Sequence, residues 1–358
     1  MTTEVIIDNY MENLMRSLSV PEDKIKEQKA LAKLLKALEK YEVITKEDGE
    51  LLIKIGKDGG TIPELAEKLS MDRKELVKKL NDIFLNKGIV HPEPNKETGL
   101  VDWKPTSSLL LHDLVFINPK FQPDTHKELL DLLDEYYETG MVYVLGRSKK
   151  PLFRILPVNE TISLNQTNIF PYEEVEKIIN SAKKISLTDC VCRKRARRCN
   201  HPSEVCLAFD LAADMLIQRK FAKKITKEEA LEVIKKSEES GLVHCVDNKQ
   251  KGLYFICNCC SCACGVVRGA VVHGYRDIVN QSRYEASVDP EVCIGCETCI
   301  DKCQFDAITI EDGKSIINQN NCWGCGNCAT NCPESAITLK QIRPQDFIPE
   351  KGESFMGF

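Results

Sequence analysis

Eight cysteines near the C-terminal end stand at the spacing that a metal cluster asks of a chain. Cys293, Cys296 and Cys299 are followed by Cys303, and Cys322, Cys325 and Cys328 by Cys332-Pro333, so C-x2-C-x2-C-x3-C occurs twice. Two-residue gaps let the backbone wrap a cubane so that three thiolates reach three irons, while the fourth cysteine of each run turns to the other cluster. By that rule Cys293, Cys296, Cys299 and Cys332 hold one [4Fe–4S] cluster, and Cys322, Cys325, Cys328 and Cys303 hold a second. Structural zinc on paired C-x2-C motifs would need four thiolates per ion and would leave the third and fourth cysteines of each repeat unexplained. The repeat extends past the ligands: Ala307-Ile308-Thr309-Ile310 and Ala336-Ile337-Thr338-Leu339 close each half with a strand able to cover a cluster with apolar side chains. Gly295, Gly324 and Gly326 permit close backbone approach and amide hydrogen bonds to sulfur, which help to set potential.

A second cysteine field precedes the first: Asp189-Cys190-Val191-Cys192-Arg193, then Cys199 and Cys206, then Cys257-Asn258-Cys259-Cys260-Ser261-Cys262-Ala263-Cys264. With Cys245 set aside as a small buried thiol, the candidate ligands are Cys190, Cys192, Cys199, Cys206, Cys257, Cys259, Cys260, Cys262 and Cys264. Thiols this dense are an oxidation hazard unless a metal occupies them, so one or two further iron–sulfur clusters are expected. The spacing matches no ligand rule, and a zinc site or a redox-active thiol pair remains a competitor. The run Arg193-Lys194-Arg195-Ala196-Arg197-Arg198 either stabilises an anionic cluster and steers an acidic partner or is a solvated loop. His201, His244 and His273 are read as ordinary surface or core histidines.

All 18 cysteines lie at or beyond Cys190, which divides a cysteine-free half from a cysteine-dense one and confines redox chemistry to the second. Thiols in such number suit a reducing compartment, where metal rather than disulfide uses them. The 358 residues, 42% of them hydrophobic, suffice for two or three cores, and a net charge of -5 supplies no basic field toward nucleic acid or anionic lipid. The opening Met-Thr-Thr-Glu-Val-Ile-Ile-Asp has no basic leader with an apolar core, and no run of eighteen apolar residues follows. A cytoplasmic protein without a membrane span is expected.

The elements that must position this chemistry begin with an amphipathic helix over 22–41, with Leu31, Leu34, Leu35 and Leu38 on one face. Three helices follow, Lys46 to Ile55, Thr61 to Leu69 and Asp72 to Asn86, with Thr61 and Asp72 as N-caps, and then two strands around 89–103. The pattern TIPELAEKLSMDRKELVKKLNDIFLNKGIV resembles winged helix-turn-helix domains over roughly 45–105. That resemblance implies either DNA contact through Arg73, Lys74, Lys78 and Lys79 or docking of another protein. Asp72, Glu75 and Asp82 dilute the charge, and Glu93 and Glu97 sit on the wing, so docking is favoured and DNA is not the expected partner. A helix from Pro123 to Thr139 and strands at Met141-Val142-Tyr143-Val144-Leu145 and Phe153–Val158 are expected in a linking α/β region. No Gly-rich phosphate loop, nucleophile elbow or zinc-protease helix occurs in this half.

Residues 188–284, with CxCR and later CNCC segments, resemble a cysteine-rich module that precedes dicluster ferredoxin domains in proteins of anaerobic bacteria and archaea, which implies an electron carrier. Val288 to Lys340 resembles bacterial two-cluster ferredoxins at all eight ligands, departing only at Cys303-Gln304, where the family has Cys-Pro and where a looser turn is therefore expected.

The reading is an α+β, multidomain chain: a helical and winged-helix-like docking domain (1–105), a linking α/β region (106–185), a mainly helical cysteine-rich iron–sulfur module (186–285), a ferredoxin-like dicluster domain (286–345) and a tail (346–358). The expected function is single-electron transfer through [4Fe–4S] clusters to or from a redox protein partner or a larger oxidoreductase complex. The alternative is a redox-sensing transcription regulator using the winged helix. An enzyme with an open iron in the 190–264 field ranks third, because no general acid, base or substrate pocket can be named.

Overall fold

Helices begin where the sequence supplies caps in the computed structural model, which describes residues 7–95, 98–146, 150–158 and 174–352. Thr45 Oγ1 accepts from the Asp48 amide while Asp48 accepts from the Thr45 amide, starting the helix Lys46–Ile55. Thr61 and Glu64 form the same box ahead of Ile62–Leu69, and Asp72 accepts from the amides of Lys74 and Glu75 to start Arg73–Asn86. Strands β1 (Gly60–Thr61), β2 (Val90–Pro94) and β3 (Val101–Pro105) make an antiparallel sheet with β3 in the centre. Leu76, Leu80, Ile83 and Phe84 bury one helix face, with Phe84 edge-on to Trp103 at 6.2 Å. These elements belong to the first of two compact units, which ends at Leu145. Glu93 pairs with Lys104 at 2.6 Å, whereas Glu97 lies outside the described residues.

Two helical expectations and one strand expectation in this unit change. The segment 22–41 is a 3-10 turn, Glu22–Glu27, followed by the helix Lys29–Lys40, whose Leu31, Leu34, Leu35 and Leu38 are buried as the period requires. The helix expected over Pro123 to Thr139 spans Lys127–Tyr136 and continues as a π turn, Tyr137–Met141. The run Met141-Val142-Tyr143-Val144-Leu145 is helical, not a strand, passing from that turn into Val142–Gly146. Met141, Val142 and Leu145 are buried on one side, and five apolar residues carry too short a period to separate strand from helix.

The second unit begins at Gly146. Its sheet comprises β4 (Phe153–Ile155), β5 (Ile185–Asp189), β6 (Glu204–Phe209), β7 (Lys223–Ile225), β8 (Val243–Asp247), β9 (Phe255–Cys259) and β10 (Val279–Asn280), in the order β10-β4-β8-β9-β6-β5-β7. Only β10 and β4 pair in parallel. The cysteine-rich module is thus organised on a sheet rather than being mainly helical. Polar residues and cysteines at buried strand positions conceal the pattern: all five residues of β8, Val-His-Cys-Val-Asp, are buried, so no alternation appears. The helix Lys227–Glu239, capped by Thr226 and Glu229, sends Ala230, Val233 and Ile234 into the core with Leu187, Leu207 and Phe209. Residues 159–173 of the expected linking region are outside the described residues.

Beyond this sheet, β11 (Tyr284–Val288) pairs with β14 (Ile337–Gln341), and β12 (Ile308–Glu311) with β13 (Lys314–Ile317), both antiparallel. Short helices Thr298–Lys302 and Asn327–Thr330 follow the two cysteine turns. Asn327 Nδ2 donates to the Leu242 carbonyl at 3.1 Å and the Val158 amide to the Cys325 carbonyl at 2.9 Å, so this part is bonded to the sheet. Of the tail, Ile348 is buried and accepts from Gln250 Nε2 at 2.8 Å, while 353–358 lie outside the described residues. No helix among the described residues is long and apolar enough to cross a membrane.

Candidate metal centres

Two hollows lie between the halves of the C-terminal repeat. One is lined by Cys293, Cys296, Cys299 and Cys332 together with Ser315 and Ile337. The other is lined by Cys303, Cys322, Cys325 and Cys328 together with Phe305 and Trp323. Each hollow therefore collects three thiols from one run and the last thiol of the other. Four soft sulfur donors around an apolar hollow suit an iron–sulfur cluster. The buried Trp323 indole N–H, at the wall of the second, finds no partner among the described residues. Gly295, Gly324 and Gly326 have φ of 68°, 64° and 87°, and a Cβ at Gly295 would strike the Gly313 carbonyl, at Gly324 the Tyr284 carbonyl.

The two hollows differ electrostatically. Around the first, the Ser315 amide donates to Cys293 Sγ at 3.4 Å, the Ala336 amide to Cys332 Sγ at 3.3 Å, and Ser315 Oγ lies 3.2 Å from Cys299 Sγ. Backbone hydrogen bonds from Ser315 and Gly295 hold the Cys293 thiol below its usual range, and the Thr298 hydroxyl and amide do the same for exposed Cys296. Around the second, burial dominates: it raises Cys303, pushes Cys325 up to about 12, and lifts Cys328 well above the ordinary thiol value.

The middle cysteines come from β5, β6, β9 and the loops after them, and they fall into two groups. Cys190 is hydrogen-bonded with Cys192 and Cys206, Cys206 with Cys257, Cys257 with Cys259, Cys259 with Cys264, and Cys264 with Cys192, closing a ring of six. The bonds with Cys192 and Cys206, then burial, hold Cys190 well above the ordinary thiol value. Cys245 is buried as expected, yet it also bonds Cys259 and so touches the ring, through a register that sets Cys245 opposite Cys257. The remaining three, Cys199, Cys260 and Cys262, form a separate group with all sulfurs within 4.8 Å.

The basic run divides. Arg193 and Arg195 are buried at 5% and 0% exposure, whereas Arg197 and Arg198 are exposed. Arg193 Nη1 donates to the Asn258 carbonyl at 2.9 Å and lies 3.8 Å from Cys260 Sγ. Burial pulls its pKa down, but the facing Cys190, Cys206 and Cys260 more than restore it. His244 is a core residue, its ring between Asn258 Oδ1 at 2.6 Å and Glu238 Oε1 at 3.0 Å, while His201 and His273 are half-buried.

Sequence reasoning missed Gln304 and Ser315. The turn after Cys303 is not loose: Gln304 is buried, its Oε1 accepts from the Ser261 amide at 2.8 Å and hydroxyl at 3.0 Å, and its Nε2 donates to the Gly241 carbonyl at 3.1 Å. The departure from Pro was the signal, since it supplies the side chain that makes these bonds. Ser315 lies between the runs and carries no signal in the sequence. On the surface of the first unit, Lys79 is engaged by Glu47 at 2.8 Å, while Arg73, Lys74 and Lys78 are exposed.

A family model described as a 4Fe-4S dicluster domain matches residues 292–337. The C-terminal part of the chain therefore carries an iron–sulfur dicluster domain. No curated protein and no solved structure matches the chain.

Proposed function

We propose that this chain is an electron-transfer protein that exchanges single electrons with a redox partner or as part of a larger oxidoreductase complex. Cys293, Cys296, Cys299 and Cys332 would hold one [4Fe–4S] cluster, Cys303, Cys322, Cys325 and Cys328 the other, and the six-thiol ring of the middle field would serve a further iron–sulfur site. The observation that carries the reading is the composition of the two hollows, each walled by four thiols drawn from both halves of the repeat. Bound there, a [4Fe–4S] cluster supplies one-electron chemistry at a potential within roughly -700 to +450 mV.

The chain's own groups would do the rest. Ser315, Ala336 and Thr298 fix the sulfurs of the first set by hydrogen bonds. Phe305 and Trp323, ring centroids 4.5 Å apart, keep water from the second. Exposed Cys296 and the adjoining Ile294, 63% exposed, mark the face nearest a partner. In the first unit, three capped helices followed by a hairpin support a winged-helix-like docking element, and the Lys79–Glu47 pair weighs against a DNA-facing helix. No observation favours the regulator reading.

The test is anaerobic iron and sulfide quantification with EPR of the dithionite-reduced protein. About eight irons for the dicluster part, with signals from two interacting clusters, are expected. A reduced protein with four irons or fewer, or with no low-temperature EPR signal, would sink the proposal.

A further inference from the structure

We propose that Cys199, Cys260 and Cys262 form a mononuclear zinc site with an exchangeable fourth position, distinct from every iron–sulfur centre in the chain. The inference goes beyond electron transfer and does not depend on it.

The spacing of the sulfurs is the first argument. Cys199 Sγ and Cys260 Sγ are 3.9 Å apart, and the three sulfurs all lie within 4.8 Å of one another. A tetrahedral ion with arms of 2.3 Å sets its thiolates about 3.8 Å apart along each edge. Thiolates on different irons of a cluster stand farther apart, because the metal core lies between them. The chain supplies its own comparison. Its eight C-terminal cysteines line two hollows in sets of four, whereas among the described residues Cys199, Cys260 and Cys262 are the one set of three Cys, His, Asp or Glu side chains whose ligand atoms close to single-ion distance.

Charge is the second. Among the described residues the Arg193 guanidinium, 5% exposed and 3.8 Å from Cys260 Sγ, has no carboxylate partner, and its Nε and Nη2 have no hydrogen-bond partner. A buried cation demands a counter-charge. Three thiolates around a dication leave one negative charge, placed beside a guanidinium that also faces Cys190 and Cys206 of the ring. Were these three thiols neutral, Cys260, the sulfur nearest Arg193, would contribute nothing to that counter-charge.

Third, the turn is preset. Ser261, between Cys260 and Cys262, is held at both its amide and its hydroxyl by Gln304. Cys260 is fully buried while Cys199 and Cys262 are half-buried, so the side away from Cys260 is open to water. With no fourth protein donor in the group among the described residues, water or a small exogenous ligand completes the tetrahedron, as at zinc sites that exchange a ligand. Binding displaces the thiol protons into solution and transfers no electrons.

The experiment uses the full chain, purified anaerobically with its iron in place and loaded with zinc under reducing conditions. Zinc content and zinc K-edge absorption are measured on the parent and on Cys262→Ser. The expected result is one zinc per chain, with three sulfurs at about 2.3 Å and one oxygen or nitrogen. Cys262→Ser should weaken zinc at least 100-fold against a competing chelator, with iron and sulfide unchanged. Absence of zinc from the loaded parent, a shell of four sulfurs, zinc indifferent to Cys262→Ser, or iron lost together with Cys262 would each overturn the proposal. Should Cys262→Ser fail to fold, the parent's shell of three sulfurs or four decides alone.

Discussion

Removing one hydroxyl, Ser315→Ala, should lower the potential of the cluster on Cys293, Cys296, Cys299 and Cys332 and leave its neighbour alone. Ser315 is 5% exposed, and its Oγ lies 3.2 Å from Cys299 Sγ and 3.7 Å from Cys293 Sγ. Once those sulfurs are deprotonated ligands, the hydroxyl is the only donor among the three groups. Having one proton, it donates to the nearer sulfur, Cys299. The Ser315 amide, which donates to Cys293, survives the substitution. A hydrogen bond to a charged acceptor is worth about 1.5–3 kcal/mol, and water does not replace it at a buried site. The bond strengthens when the added electron makes the sulfur more negative. If about 1 kcal/mol of it is differential between the two oxidation states, one-electron conversion at 59 mV per tenfold gives a drop of about 40 mV. The assay is an EPR-monitored redox titration of the parent, Ser315→Ala and Ser315→Thr, the last restoring the donor. An unchanged or raised potential in Ser315→Ala would refute the assignment of Ser315 as a donor, and equal shifts in both clusters would refute its locality.

Gln304→Ala leaves the Ser261 amide and the Gly241 carbonyl without their bonds, and should destabilise the second unit by about 2–4 kcal/mol in anaerobic urea unfolding. Gly324→Ala forces a Cβ against the Tyr284 carbonyl at a φ of 64°, so the set on Cys303, Cys322, Cys325 and Cys328 should fail to load and the dicluster iron should fall by about half, to about four, by analysis. The metal-free chain should lose stability as pH rises from 8 to 10. Burial raises Cys325 to about 12, and bonds with Cys192 and Cys206 plus burial raise Cys190, whereas unfolded thiols release protons near 8.5. Over that window the folded state binds more protons, its advantage is full below the unfolded pKa, and thermal melts at two pH values read the loss.

The sequence makes some of this legible and hides the rest for physical reasons. The proposed cluster ligation in the C-terminal part is local: three of four thiols of each set lie within seven residues, Cys293 to Cys299 and Cys322 to Cys328, so spacing alone suggests them. Helix starts are local too, which is why Thr45, Thr61, Asp72 and Thr226 cap where capping chemistry says they should. The middle field is not local. Its ring joins Cys206 on β6 to Cys257 on β9 and Cys192 to Cys264 in the loop after β9, partners that only the sheet order β9-β6-β5 brings together. Burial on both faces of β8 removed the alternation that would have announced a strand, and with it the sheet.

The basic run shows how the same residue type divides by geometry. In the short helix Val191–Ala196, Arg193 and Arg195 turn inward, one to the Asn258 carbonyl beside Cys260 and the other to the Ala263 carbonyl, while Arg197 takes a left-handed φ of 51° and ends the helix into solvent. Two guanidiniums thus grip the backbone on either side of the Cys260–Cys262 turn, and Gln304 grips it at Ser261. The turn is therefore constrained from three directions by side chains that are not metal ligands. Outer groups of this kind orient first ligands and limit their reorganisation. The cations also bear on how so many thiols can crowd together in the middle module. In the proposed metal-bound state, positive charge placed beforehand lowers the cost of deprotonating these sulfurs.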